Sequence, residues 1–214
     1  MPRPQRSCLF PANIMKTTCA IGCIVLAIAG SFAAETPTNT SVWQLTLKRE
    51  GVPTIKPIFR AHLTASGEEF AFFVPQGLAV LNDAGKIKFV NPDGNCIMTL
   101  RVIESGANAG ELDAQHFLQR FSANHPDAAI RAEFVRRVAD HYANGFDIEW
   151  TADKSITLCQ RTVYTHSALG FLEFTATADR ANFPTVQAYL ESVLTTFRVS
   201  KNGRLEEIHI SPNS

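Results

Sequence analysis

Apolar and polar residues alternate through several segments of the chain, which is the period of a half-buried β-strand. In "VWQLTLK", Trp43, Leu45 and Leu47 alternate with polar neighbours and predict a first strand. "EFAFFVP" is rich in phenylalanine and closes at Pro75, which has no N–H for a strand ladder, so a strand is predicted to end there. Two apolar runs flank the Pro-Asp-Gly-Asn sequence of residues 92–95 and predict a hairpin.

The spacing of apolar residues changes to that of a helix in two places. Ala114, Phe117, Leu118 and Phe121 stand at i, i+3, i+4 and i+7, and Pro126 must end this helix. A second helix is predicted to begin at Pro184, a favoured first-turn residue, and its apolar stripe consists of Val186, Tyr189, Leu190, Val193 and Phe197.

Four consecutive strands are predicted between the two helices. The segments are "RAEFVRRVADHY", "FDIEWTA", "SITLCQRTVYTH" and "GFLEFTATA". Asn144-Gly145 is the strongest short hairpin signal in the chain, and a second turn is predicted at residues 167–170. The four segments therefore predict an antiparallel meander.

The same alternation indicates which strands are covered. Asp147 and Glu149 fall between Phe146, Ile148 and Trp150, which predicts a strand with one solvated face, close to a sheet edge. "CIMTLRVI" is apolar on both faces and is predicted to be a central strand. Together the elements predict an α+β fold, in which an antiparallel β-sheet carries helices packed on its faces as an α/β/α sandwich.

The longest apolar run stands before all of these elements. From Met15 the chain has a positive start at Lys16, an apolar core and small residues at the positions a signal peptidase reads. A membrane anchor is the alternative, but it needs about 20 apolar residues and this run is shorter. The predicted organisation is a cleaved signal peptide at 1–34, a disordered lead-in at 35–41, one α+β domain at 42–200 and a C-terminal tail at 201–214. Translation can begin at Met1 or at Met15.

The net charge and the number of cysteines restrict the classes of protein to which the chain can belong. Basic and acidic residues number 20 each, and three basic residues lie in the leader, so the exported chain has 17 against 20 and a net charge of −3. Such a chain lacks the basic surface that nucleic-acid binding requires. Of five cysteines, only Cys96 and Cys159 lie outside the leader. We predict that they are unpaired, because their strands are not expected to be neighbours; a bridge between them is the alternative that the sequence leaves open.

No catalytic, cofactor-binding or metal-binding residue is predicted. A serine stands next to a histidine in "THSALG", but the G-x-S-x-G elbow is missing and turn chemistry accounts for Ser167. Asp147 and Glu149 share one strand face and are predicted to be solvated rather than to act as a carboxylate pair. "SGANAG" lacks the lysine of a phosphate-binding loop. None of the six histidines shows metal-ligand spacing: His62, His116, His125, His141, His166 and His209.

The order of elements and three short motifs resemble the PsbP, Mog and DcrB-like group of domains. The motifs are Phe70 to Gly77, Leu172 to Thr177 and Thr196-Phe197-Arg198. Leu78 departs from the group, which often has tryptophan there. The resemblance covers roughly residues 66–200 and implies an antiparallel sheet between helices that serves as a binding or assembly module.

The resulting hypothesis is an exported, non-catalytic binding or assembly module of the bacterial envelope, periplasmic or secreted. It has no cofactor, and its partner is an unknown envelope protein or small ligand. Nucleic acid is not expected as a partner, and no stable membrane span remains after cleavage. Two alternatives stay open: an envelope hydrolase whose site residues are scattered through the sequence, and a carrier of a small apolar ligand.

Overall fold

The computed structural model describes residues 43–50, 57–83, 85–104, 112–153 and 156–200. The predicted signal peptide, lead-in and C-terminal tail lie outside these residues, as does His209. In the described part of the chain, no helix has the length and apolar character needed to cross a membrane.

Within those residues the chain forms strands and two helices. In chain order they are β1 (Gln44–Glu50), β2 (Ile58–Ala65), β3 (Glu68–Phe73), β4 (Ala79–Asp83), β5 (Lys86–Val90), β6 (Cys96–Glu104), α1 (Ala114–Phe121), β7 (Ala129–Val138), β8 (His141–Asp153), β9 (Ile156–Ser167), β10 (Gly170–Asp179), α2 (Phe183–Thr196) and β11 (Arg198–Val199).

The strands form two antiparallel sheets. The small sheet has the order β1-β2-β3-β11, and the large sheet has the order β4-β5-β6-β10-β9-β8-β7. The α+β class, the central position of β6 and the meander from β7 to β10 are confirmed. The division into two sheets was not predicted. It follows Pro75, which cannot continue the ladder of β3, and a turn at Gly77, whose φ of +86° suits glycine.

Aromatic side chains fill the core between the two sheets. Phe197 lies one residue beyond α2, is fully buried, and packs within 5.1 Å of Phe174 and 5.8 Å of Phe70, measured between ring centroids. At the end of this core the indole N–H of Trp43 donates to the carbonyl of Gly85 at 3.1 Å. The predicted apolar stripe of α2 therefore faces the core, with Phe197 completing it from the following residue.

Helix α1 covers part of the opposite face of the large sheet. The side chain of Asp113 accepts a hydrogen bond from the His116 N–H at 2.8 Å and caps the helix N-terminus. Phe117 and Phe121 then pack on Phe146 and Trp150, with ring centroids 5.1 and 4.9 Å apart. The i, i+3, i+4, i+7 pattern thus predicted both the helix and its buried side.

The turn predicted at Asn144-Gly145 is wrong. Both residues lie inside β8, and Gly145 is directly opposite Phe134 of β7. A Cβ at Gly145 would stand 2.4 Å from the Phe134 ring, so this glycine makes room for an aromatic side chain across the sheet. The hairpin instead turns at residues 139–140, where Ala139 has a φ of +49°.

Candidate functional site

An open cleft of about 870 Å³ lies where four chain segments end together. We call it the end cleft. Its walls are the β7–β8 turn, the β9–β10 turn, the start of β3 and the segment from the last turn of α2 through β11. The volume falls within the range of small-ligand pockets. Because these segments are far apart in sequence, only the fold brings their side chains together.

The β7–β8 turn supplies the most exposed wall of the end cleft. Arg137 and Asp140 face each other across this turn at 3.7 Å, His141 follows, and Tyr142 is 82% exposed. Tyrosine and arginine side chains contribute most often to the energy of protein interfaces. This wall therefore has the composition of a contact surface.

The end of α2 forms a second wall. The guanidinium of Arg198 donates to the carbonyl oxygens of Thr195 and Phe197 at 3.1 and 2.7 Å. These carbonyls belong to the last turn, which has no further residues of the helix to bind them. Arg198 therefore closes the helix end and places its charge beside the cleft.

The β9–β10 turn forms a third wall, and its polar groups are engaged locally. The Ser167 hydroxyl donates to the Gly170 carbonyl at 3.3 Å and accepts from the Leu169 N–H at 3.2 Å. His166 stacks on Phe171, with ring centroids 4.1 Å apart. Ser167 thus serves its own turn, as the sequence indicated, and is not aligned as a nucleophile with the histidine beside it.

Two buried polar atoms of the lining residues have no hydrogen-bond partner. They are Oε2 of Glu68, on the small sheet, and Nε of Arg136, on the large sheet. Another nitrogen of Arg136 forms an ion pair with Glu191 of α2. Buried polar atoms are normally satisfied, so these two atoms are exceptions among the lining residues. Nothing in the local sequence distinguishes these two residues from other charged strand residues.

Asp147 and Glu149 are not on a solvated face, contrary to the sequence prediction. Their side chains are 16% and 14% exposed, and they lie on the side of the sheet that faces α2. Arg161 binds Asp147 with two hydrogen bonds of 2.7 and 2.8 Å and also reaches Glu191 at 3.0 Å. This cluster ties α2 to β8 and β9, and every carboxylate in it has a cationic partner.

Glu149 belongs to a neighbouring cluster with Arg180 and Arg131, at 2.5 and 3.0 Å. The hydrogen bond from Arg180, followed by that from Arg131, holds the pKa of Glu149 below its usual value. The Cys159 thiol lies 3.9 Å from the same carboxylate. Burial, followed by the Glu149 charge, raises the pKa of Cys159, which disfavours the reactive thiolate.

A third polar cluster lies on the α1 side of the large sheet. Glu173 is buried and receives two hydrogen bonds from Arg101, at 2.6 and 3.0 Å. Burial, followed by the charge of Glu173, raises the pKa of Tyr164 well above its usual value. The phenol therefore remains neutral beside the carboxylate that Arg101 binds.

The histidines are spread over the molecule. Nδ1 of His62 lies 2.9 Å from Glu69, that of His116 lies 3.0 Å from Asp113, and His125 stacks on Phe121. Of the five histidines that the structure describes, only His141 and His166 share a site, as both line the end cleft. Among the described residues, no group of three or more potential metal ligands comes together.

The two cysteines of the described residues are free thiols. Cys96, at the start of β6, is exposed, and Cys159 of β9 is buried. Strand β10 separates their strands in the large sheet. The predicted absence of a bridge between them is confirmed by this strand order.

Several solved structures resemble this fold, among them the following two. One is LpqN of Mycobacterium tuberculosis, which is involved in cell envelope biogenesis: the TM-score is 0.45 at 14% sequence identity, over 74% of this chain and 92% of that one. The other is CyanoP, the PsbP of Synechocystis sp. PCC 6803, with a TM-score of 0.43 at 16% identity, over 78% of this chain and 97% of that one. The resemblance to the PsbP group is confirmed as a similarity of fold. No protein-family model matches the chain, and neither does any curated protein sequence.

Proposed function

We propose that the protein is an exported, non-catalytic binding module of the bacterial envelope, and that it holds its partner at the end cleft. The observation that carries the proposal is the cleft itself, because the exposed Tyr142 lines it together with Arg137 and Arg198. Such a combination supplies an aromatic anchor together with cationic hydrogen-bond donors.

Export is the second part of the proposal. It is supported by the charged start, apolar core and small residues of the segment from Met15 to Ala34. We expect the mature chain to begin at Ala34 or Glu35. N-terminal sequencing of the protein recovered from the envelope fraction measures this, and a chain that still begins at Met1 or Met15 would contradict it.

The arrangement of polar groups in the end cleft supports binding over hydrolysis. Ser167 is engaged in its own turn, Arg198 is bonded to the helix end, and Asp140 faces Arg137. A hydrolytic site instead needs a nucleophile, a base and an oxyanion donor directed at one point.

The packing of the interior favours a binding module over a carrier that holds an apolar ligand inside the fold. The space between the sheets is occupied by Phe197 and three rings around it, whose centroids lie 5.1 to 6.3 Å from that of Phe197: Phe70, Phe72 and Phe174. Rings at this spacing are in packing contact. In the described part of the chain, the place where a carrier would hold its ligand is therefore filled.

To test the proposal, the exported protein is used to capture partners from an envelope extract. Variants of cleft residues and of a residue elsewhere on the surface show whether the partner binds at the cleft. We expect Tyr142→Ala and Arg198→Ala to lose the captured partner. Leu81→Ala is the matched control, because Leu81 is an exposed apolar residue of β4, at the opposite edge of the large sheet. Equal capture by the wild type and both cleft variants would contradict the proposal. So would a hydrolytic rate that disappears on substitution of a cleft residue.

A further inference from the structure

Strand β7 forms one edge of the large sheet, and no other strand of the described residues pairs with its outer side. It has ten residues and is bulged near its start, between Ile130 and Ala132. The straight part, residues 132–138, pairs regularly with β8 on one side only. An edge of this length offers a row of backbone donors and acceptors to another strand.

The side chains along this edge do not protect it in the usual way. Glu133, Val135 and Arg137 alternate along the strand and therefore point to the same face, the side that carries α1. Val135 is 66% exposed and the Arg137 side chain is 71% exposed. Charges normally block an edge by repelling any added strand. Here the two charges have opposite sign and flank an apolar residue.

The order of these residues is self-complementary under a two-fold rotation. If a second copy of β7 is laid antiparallel with Val135 opposite Val135, then Glu133 of each copy lies opposite Arg137 of the other. The straight segment of residues 132–138 is itself centred on Val135, so the bulge falls outside the paired length. A two-fold axis through a pair of facing residues is compatible with the antiparallel hydrogen-bond pattern.

We propose that two copies of this chain associate through their β7 edges and form one continuous sheet. The dimer centres on the Val135 pair, carries two Glu133–Arg137 ion pairs and adds about six to eight backbone hydrogen bonds. Tyr142 of β8, the direct partner of Arg137, flanks the contact and loses part of its exposure. The charges of Glu133 and Arg137 favour pairing with a second copy of β7 and disfavour pairing with strands whose charges are arranged differently.

The expected dimer is weak. A single pair of edge strands buries less than the roughly 1,200 Å² of a standard interface, so the dissociation constant should be on the order of tens to hundreds of micromolar. The small contact leaves most of the end cleft open, although Arg137 lies in both surfaces. Association should therefore depend on protein concentration, and on salt through its ion pairs.

The decisive experiment is sedimentation equilibrium of the exported protein, of Glu133→Arg, of Arg137→Glu and of an equimolar mixture of the two variants. Each variant alone places like charges opposite each other and should associate at least tenfold more weakly than the wild type. The mixture restores opposite charges at both positions and should recover dimers as heterodimers. Circular dichroism and denaturant midpoints check that both variants are folded.

A second measurement tests the register and does not depend on charge. In a Cys96→Ser background, Val135→Cys places two thiols opposite each other at a Cα separation of about 5 Å, which a disulfide can span. Oxidised glutathione accepts the two electrons and two protons as the bridge forms, and a covalent dimer should appear. Glu133→Cys is the matched control, since its copy is displaced by four residues, about 13 Å along the strand.

A monomeric wild type up to about 1 mM would overturn the proposal. Charge variants that dimerise as well as the wild type would do so as well, because they would place the contact elsewhere. Equal crosslinking at positions 133 and 135 would overturn the register about Val135.

Discussion

At the scale of single residues, Gly145 shows that packing across a sheet can require a residue without a side chain. The ring of Phe134 occupies the space above Gly145, and the guanidinium of Arg161 lies over the same ring at 4.5 Å from its centroid. The glycine, the ring and the cation form one stack across β7, β8 and β9. A side chain at Gly145 would therefore displace the Phe134 ring and, through it, disturb the ion cluster of Arg161 beneath α2.

We predict that Gly145→Ala destabilises the protein by about 1 to 3 kcal/mol, because the new methyl group would overlap the Phe134 ring. The free energy of unfolding in urea measures this. In a Phe134→Leu background the same substitution should cost clearly less, since the smaller side chain leaves room for the methyl group. An equal cost in both backgrounds would mean that the glycine is needed for its backbone rather than for the space.

Phe197 is the residue where the two sheets and α2 meet. It contacts Phe70 and Phe174 and is fully buried. We predict that Phe197→Ala costs about 3 to 5 kcal/mol, because neighbours held by two sheets cannot collapse into the cavity. Phe59→Ala is the control at a residue that is 41% exposed, and it should cost less than about 1 kcal/mol. Similar costs for the two variants would contradict the assigned core.

At the scale of elements, the features predicted from sequence are those specified by short-range patterns. Both helices and the residue 92–95 hairpin follow from spacing and turn residues within a few positions, and Gly94 has the φ of +83° that its turn requires. The strongest hairpin signal failed at Asn144-Gly145 because a tertiary contact with Phe134 determines that glycine. The dipeptide alone contains no information about the ring across the sheet.

The features not predicted depend on pairing between distant segments. The small sheet is completed by β11, where Arg198 pairs with Ala71, more than 120 residues away. The end cleft likewise gathers Glu68, Arg136 and Arg198 from three separate parts of the chain. Asp147 was predicted to be solvated because its partner Arg161 lies on another strand, and alternation within one strand cannot reveal a charge across it.

The cluster of Arg161 and Asp147 joins α2 to the meander, and its contribution is measurable. We predict that Arg161→Met costs about 2 kcal/mol, because it leaves the mostly buried Asp147 carboxylate without its cation. In the double variant with Asp147→Asn the cost should be smaller than the sum of the single costs, with a coupling energy of about 1 kcal/mol or more.

The control for this cycle is Arg131→Met, since the Arg131 side chain is mostly exposed and Glu149 keeps Arg180 as a second partner. It should cost less than about 1 kcal/mol. Strictly additive costs for Arg161 and Asp147 would show that the pair does not act as a unit and that packing alone holds α2 on the sheet.

At the scale of the whole molecule, the arrangement of the layers leaves room for both proposed contact surfaces. One face of the large sheet is covered by the small sheet and α2, and α1 covers part of the other. Turns meet at one end and form the end cleft, while no strand among the described residues covers the outer side of β7. Arg137 belongs to both surfaces, so a partner bound at the cleft and a second copy at β7 would influence each other's affinity.

The paired carboxylates make stability depend on pH across the whole fold. Hydrogen bonds from Thr151 hold the pKa of Asp127 below its usual value, those from Asn182 do so for Asp179, and the His116 N–H does so for Asp113. A lowered pKa means that the unfolded state takes up protons first. The stability that these groups contribute is present above the usual carboxyl range and is lost as the pH falls below about 5.

We therefore predict a urea midpoint that is level between about pH 6 and 8 and falls steadily from about pH 5 to 3. Asp127→Asn should lower the midpoint at neutral pH and flatten its fall in acid, because one titrating group is gone.

At the alkaline end the raised pKa of Tyr164 has the opposite consequence: the unfolded phenol ionises near its usual pKa of about 10 while the folded one stays neutral. Stability should therefore decline above about pH 10, and Tyr164→Phe should weaken that decline. A midpoint that rises in acid, or an alkaline decline unchanged in Tyr164→Phe, would contradict these assignments.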